Sequence, residues 1–210
     1  YTDASGFYQI SALRSGTYKL RFSDNAGVYL TEYHDDKMDL ASADRIAVAS
    51  ASTVTVDAAL TQGGRITGRV IDASSGLGLA GVSVHAERMD GTSPSGSATT
   101  KADGTYTTTA LYNGVYRVRF RPSQPFFSVY YDNHRDYAAF KPVSVTTGLT
   151  TPGIDAALKT GHVISGTVTG ADGEPLQSVR VGAYRGGSSY SAYTDYTDGQ
   201  GRYQLGPLDP

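Results

Sequence analysis

The 210-residue chain contains no cysteine and no tryptophan. Without a thiol, disulfides, zinc–thiolate sites and thiol nucleophiles are excluded together, so the core must hold without covalent staples. Charge of one sign is also missing. Eighteen Lys+Arg stand against 20 Asp+Glu, for a formal charge of −2, and no basic block occurs. The phosphate-neutralising footprint of a nucleic-acid binder is therefore not there. No apolar run approaches 18 residues, so membrane insertion of this segment is not expected, nor an export signal of its own; a longer parent could carry both.

Catalytic signatures are equally scarce. Four histidines, His34, His85, His134 and His162, are scattered without an HExxH pattern. His85 and Glu87 would share one face of a strand, which makes two ligands at most where zinc needs three and an open position. No G-x-S-x-G elbow exists, and the serine-rich SPSGSATT (residues 93–100) reads as a flexible loop. No nucleophile–base or paired-carboxylate constellation recurs. The expectation is a protein that is not an enzyme, with no catalytic residue, metal or cofactor.

What the chain does have is glycine (25), proline (8) and many Ser/Thr, the punctuation of an all-β protein rich in turns. It also repeats itself. DASGFYQISALRSGTYKLRF (3–22) aligns with KADGTYTTTALYNGVYRVRF (101–120) at the offset between Tyr8 and Tyr106, and TDGQGRYQLGPL (197–208) continues the series one period later. VTVDAAL (54–60) returns as PGIDAAL (152–158), and GGRITGRVID (63–72) as GHVISGTVTG (161–170). A period near one small domain lies far above the roughly 20–50 residues of solenoids. With TQGG (61–64) and KTGH (159–162) taken as flexible joints, residues 61–159 form one complete copy. Residues 1–60 are then the C-terminal part of a preceding copy, and 160–210 the N-terminal part of a following one.

Within the complete copy apolar residues alternate: Ile66, Gly68, Val70; Val82, Val84, Ala86; Tyr116, Val118, Phe120; Val143, Val145. Alternation of this kind marks strands with one buried face. About seven strands are expected, the size and spacing of an immunoglobulin-like or transthyretin-like sandwich. Asp-Gly in ADGTY and Asn-Gly in ALYNGVY supply the positive φ that tight hairpins need. MDLASADR (38–45) is the one stretch read as a turn of helix.

ISGTVTGADGEPLQSVRVGAYR with YTDGQGRYQLGPLDP, and GLGLAGVSVHAE with KADGTYTTTALYNGVYRVRF, resemble the carboxypeptidase regulatory-like domain and its relatives, the collagen-adhesin B-type repeats. The resemblance covers the complete copy and both partial ones. It implies tandem seven-stranded prealbumin-like β-sandwiches, usually secreted and non-catalytic, serving as spacers on bacterial surface proteins or as accessory modules beside secreted hydrolases. Some B-type relatives bind calcium through D-x-D-G-like turns, but Lys101 occupies the seat of Asp3 and Asp198, so a plain β-turn is the better reading. Others carry a Lys to Asn/Asp isopeptide bond. Here the first strand has Arg65 and Arg69 but no lysine, so Asp57 and Asp155 are expected to point outward or cap the strand end.

Tyrosine is the main aromatic, with 16 Tyr against six Phe. Tyr8, Tyr106 and Tyr203, like Tyr18 and Tyr116, hold equivalent positions and read as core or tyrosine-corner residues. A second set lies in the least regular segment: Tyr29, Tyr33 and Asp35 in the first copy, and Phe126, Phe127, Tyr130, Tyr131, Asp132, His134 and Tyr137 in the second. Three readings stay open: rings folded back over a sandwich end, a protein interface, or a glycan platform. These residues are the candidate contacts. The expected role is a rod, stalk or filament self-associating along its length or through neighbouring repeats, extracellular or on a bacterial cell surface. The alternative is an adhesion or accessory module that binds a glycan or a surface protein.

Overall fold

The structure is a computed structural model that describes residues 1–91, 95–184 and 191–209, with the backbone alone at 191 and 192. Ser93 and Pro94 of the expected serine-rich loop lie outside the described residues. Residues 1–60 hold β1 (Gly16–Tyr18), β2 (Arg21–Phe22), β3 (Glu32–Tyr33) and β4 (Ile46–Val48). The middle copy holds β5 (Arg65–Asp72), β6 (Ser83–Arg88), β7 (Gly96–Thr99), β8 (Thr105–Thr107), β9 (Gly114–Arg121), β10 (Val129–Tyr130), a 3-10 turn (Tyr137–Ala139), β11 (Val143–Val145), β12 (Thr150–Thr151) and β13 (Ala156–Leu158). The last part holds β14 (His162–Thr167), β15 (Arg180–Tyr184), β16 (Ser191–Tyr196) and β17 (Arg202–Leu208). The chain is all-β, as its alternation requires.

In the middle copy β10, β9, β6 and β7 lie in that order, with β11 beside β10 on the same edge of β9. Facing them, β5 pairs with β8 on one edge and with β12 and β13 on the other. Nine segments stand where about seven strands were expected, because two strand paths are interrupted. Between β10 and β11 the chain turns through Asp132 and Asn133, both left-handed at φ +72° and +61°, a conformation Asp and Asn tolerate better than other non-glycine residues. Between β12 and β13 the exposed Asp155 carboxylate accepts the amide of Arg69 at 2.7 Å, within β5 and not at a strand end.

Every member of the alternating set except Gly68 is buried, from Ile66 and Val70 to Val143 and Val145. They join Tyr106, Leu111, Ile154 and Leu158 in one cluster between the two sheets. Tyr106 is 2% exposed and donates its hydroxyl to the Ile154 carbonyl at 2.6 Å. Tyr8, its counterpart, donates to Val56 at 2.6 Å over the same sequence separation. Ring pairs recur too: Tyr8 meets Phe22 edge-on at 5.9 Å, and Tyr106 meets Phe120 at 6.0 Å. Tyr18 and Tyr116 each donate to the carbonyl four residues upstream. In the last part, Thr197 bridges Leu176 and Val179 as Thr100 bridges Leu79 and Val82. The repeated phrases carry repeated contacts.

The turns follow their side chains. Asp3 accepts from the Ser5 amide and hydroxyl and from the Phe7 amide, and Asp198 accepts the amides of Gln200 and Arg202. Both carboxylates thus close their own β-turn, in line with the turn reading. Residues 38–42 form bends and turns with no helix, Asp39 capping Ser42; the single helical turn among the described residues sits in the middle copy instead.

Candidate functional site

Adjacent residues on a strand face opposite ways, so the aromatic cluster expected from sequence is divided by the sheet it lies on. Tyr131 and Phe126 lie half-buried against the core cluster. Phe127, with Tyr29 of the first copy, lies at the joints between copies. Tyr130 and Tyr137 stand together on the outer face of the five-stranded sheet, rings 5.9 Å apart and edge-on. Asp132 and His134 are exposed at the turn beyond β10. Their counterparts behave alike. Tyr33 pairs across the sheet with Arg21, and Asp35, left-handed at φ +63°, is held below the usual carboxylate range by its hydrogen bond and 2.9 Å ion pair with Lys37. The ten candidates therefore form no single site.

The joints are the first arrangement that stands out. At the first, Leu30 donates its amide to Thr61 at 2.8 Å and Gly63 returns one to Val28 at 3.0 Å. At the second, Phe127 donates to Lys159 at 3.0 Å and Gly161 to Pro125 at 2.8 Å. The bridge Tyr29–Gln62 has its counterpart in Phe126–Thr160. TQGG and KTGH are therefore not the flexible joints their glycines suggested: each is gripped by a loop of the preceding copy. Close approach explains the glycines. A Cβ at Gly63 would lie 2.4 Å from the Ala110 Cβ, and one at Gly161 would lie 2.6 Å from both the Phe127 ring and Pro207.

Further contacts seal each joint. At the first, Ala110 donates to Gly27 at 2.8 Å, Glu32 accepts the Thr61 amide at 3.0 Å, and the Tyr112 hydroxyl reaches the Thr31 carbonyl. Asp24 shapes the gripping loop by accepting the amides of Ala26, Val28 and Tyr29, and those backbone bonds, Val28 first, hold its carboxyl below the ordinary range. At the second, Arg135 lies 3.7 Å over the Phe127 ring and pairs with Asp209.

The second arrangement was not singled out from the sequence. β9 reads GVYRVRFR, and its outward residues are Val115, Arg117, Arg119 and Arg121. Register sets Glu87 beside Arg117, His85 beside Arg119 and Ser83 beside Arg121, with Tyr130 on the far side of Arg119. Arg117 is 9% exposed, donates to Glu87 at 2.6 Å, and its guanidinium lies 3.8 Å from the centre of the Tyr137 ring. Arg119 lies 5.5 Å from the Tyr130 ring, and its buried Nε has no hydrogen-bond partner among the described residues. These groups line an open groove of about 370 Å³. A charge of −2 over the whole chain concealed a local excess of guanidinium; arginine at i, i+2 and i+4 of one strand was the available signal. No group of three metal-ligating side chains exists among the described residues.

Residues 65–158 match the family model of the carboxypeptidase regulatory-like domain. The middle copy is a carboxypeptidase regulatory-like domain. A search of the curated proteins finds no match. Among solved structures the chain is similar to the group B streptococcus pilus 2b backbone protein, at 15% identity and a TM-score of 0.31 over 63% of this chain and 48% of that one. It is also similar to a streptococcal ancillary pilin, at 11% identity and TM-score 0.36 over 94% and 64%, and to a proposed carbohydrate-binding protein from Bacteroides uniformis, at 14% and 0.32 over 67% and 77%. The chain thus spans about half the length of the pilus backbone protein. Both joints and the arginine groove involve the regulatory-like domain, the joints at its two ends and the groove on its sheet face.

Proposed function

We propose that the chain is a non-catalytic structural segment in which sandwich copies follow one another as a rod, stalk or filament, outside the cell or on a bacterial surface. The observation that carries this reading is the recurrent joint: the same pair of backbone hydrogen bonds fastens residues 28–30 to 61–63 and residues 125–127 to 159–161. A joint used twice with different side chains fixes the angle between neighbours through backbone geometry, and a fixed angle repeated gives a rod. On this reading residues 1–60 are the C-terminal part of one copy, 61–159 a complete copy, and 160–210 the N-terminal part of a third. Tyr29, Phe126 and Phe127 are then joint residues, and the partners are neighbouring repeats.

Topology supports it. β12 and β13 run parallel to β5, with Thr150 opposite Arg65 and Leu158 opposite Asp72. The chain therefore enters the copy at one end and leaves at the other. Small-angle scattering from proteins of two, three and four copies tests the proposal. The expected result is a maximum dimension that grows by a constant increment per copy, on the order of 30 Å for an eight-residue strand and its joint. Growth with the square root of copy number would refute it, because that is how freely jointed units behave.

A further inference from the structure

We infer that the outer face of β6 and β9 in the middle copy is a binding site for a carboxylate-bearing saccharide. Three guanidinium groups project from one strand, at Arg117, Arg119 and Arg121, and Glu87 is the one carboxylate that lines the groove among the described residues. Arg117 spends a donor on it. Arg119 does not share that balance: its Nε is buried without a hydrogen-bond partner among the described residues, between the Tyr130 ring and β6. A planar guanidinium offers donors in a fork that matches a carboxylate. An anion seated at Arg119 and Arg121 would take the terminal donors of both guanidinium groups and offset the repulsion between like charges.

The surroundings select a sugar over a peptide. β9 is paired on both edges, by β6 on one side and by β10 and β11 on the other, and β6 is paired by β7 and β9. Their backbone groups are spent within the sheet, so an extended peptide finds no free strand edge here to hydrogen-bond. Recognition must come from side chains alone. Tyr137, 59% exposed, sets a ring at the rim beside the guanidinium row. A ring for the apolar face of a pyranose and a fork for its carboxylate are what a uronic acid unit presents a need for. At about 370 Å³ the groove is at the small end of ligand sites, suited to one or two sugar units. The first copy has Lys19, Arg21 and Ser23 at the matching positions, and its Lys19 is engaged by the Leu40 and Ala41 carbonyls. The site belongs to the middle copy, and it stands whether or not the copies form a rod.

The test is calorimetric titration of the full chain with oligogalacturonate, its methyl ester and polyglutamate. Oligogalacturonate should bind, more weakly as salt rises, and the ester about tenfold or more less tightly, since charge-assisted hydrogen bonds are lost. Arg119→Gln should weaken binding by about tenfold, with Arg119→Lys intermediate because it keeps charge and loses the fork. Tyr137→Ala, outside the core, should also weaken it while lowering the melting temperature by only about 2–4 °C for the lost ring contact with Arg117, which keeps the test valid should Arg119→Gln fold poorly. Absence of oligogalacturonate binding, equal binding of the ester, or tighter binding of polyglutamate would each overturn the inference.

Discussion

Replacing Gly63 with alanine probes the joint directly. The new methyl would meet the Ala110 Cβ at 2.4 Å, the Ala110 Cα at 2.7 Å and the Leu111 nitrogen at 2.9 Å, where carbon atoms rest about 3.5–4.0 Å apart. None of those neighbours can rotate away. Relief requires residues 61–63 to retreat by roughly an ångström, which opens the bonds Gly63 to Val28 and Leu30 to Thr61. Overpacking costs about 1–3 kcal/mol, and two backbone hydrogen bonds are worth roughly 1 kcal/mol each. The total of about 3–5 kcal/mol corresponds to a melting temperature lowered by roughly 6–20 °C in a chain of this length. Calorimetry on Gly63→Ala measures it, and scattering on the same sample should show a longer, looser particle. Gly199→Ala is the control, because a Cβ there meets nothing within 4 Å. If Gly63→Ala melts within about 2 °C of the control and scatters like the parent, close approach does not hold the joint.

Two further outcomes follow from the tyrosines. Tyr106→Phe leaves the Ile154 carbonyl buried without its donor and should cost about 1–3 kcal/mol by denaturant titration, whereas Tyr8→Phe removes the same 2.6 Å bond where water can replace it and should cost less; equal losses would count against burial as the cause. Burial holds the phenols of Tyr106, Tyr112 and Tyr116 above their ordinary 10.0. A raised folded-state value gives stability that is complete below 10.0 and lost as pH climbs through the folded-state values, by about 1.4 kcal/mol per pH unit and group. Ultraviolet titration should therefore show these three ionising only together with unfolding, and their ionisation in the native protein would contradict the assignment.

Much of the fold was legible because one period governs both sequence and contacts. Tyr8 and Tyr106 could be paired by eye, and the alternation from Ile66 to Val145 named the buried face. The joints were misjudged for a specific reason: glycine signals either freedom or close approach, and only the position of Ala110 or Phe127 tells which. The aromatic set was divided because Tyr130 and Tyr131 are neighbours in sequence and strangers across the sheet. Arg117, Arg119 and Arg121 are hard to tell in sequence from the ordinary outward complement of a buried row; only register with β6 sets Glu87 opposite Arg117 and leaves Arg119 and Arg121 facing His85 and Ser83.

The parallel run of β12 and β13 along β5 has a mechanical consequence. Tension applied at the two ends of the copy pulls β5 and β13 in opposite directions along their common axis. The hydrogen bonds from Arg65–Thr150 to Asp72–Leu158 then lie across the load and share it. They must give way together, whereas an antiparallel hairpin held at its open end yields one rung at a time. A tether made of such units would resist a pull until a whole copy surrenders, and the length released would be the extended contour of one repeat less its folded span.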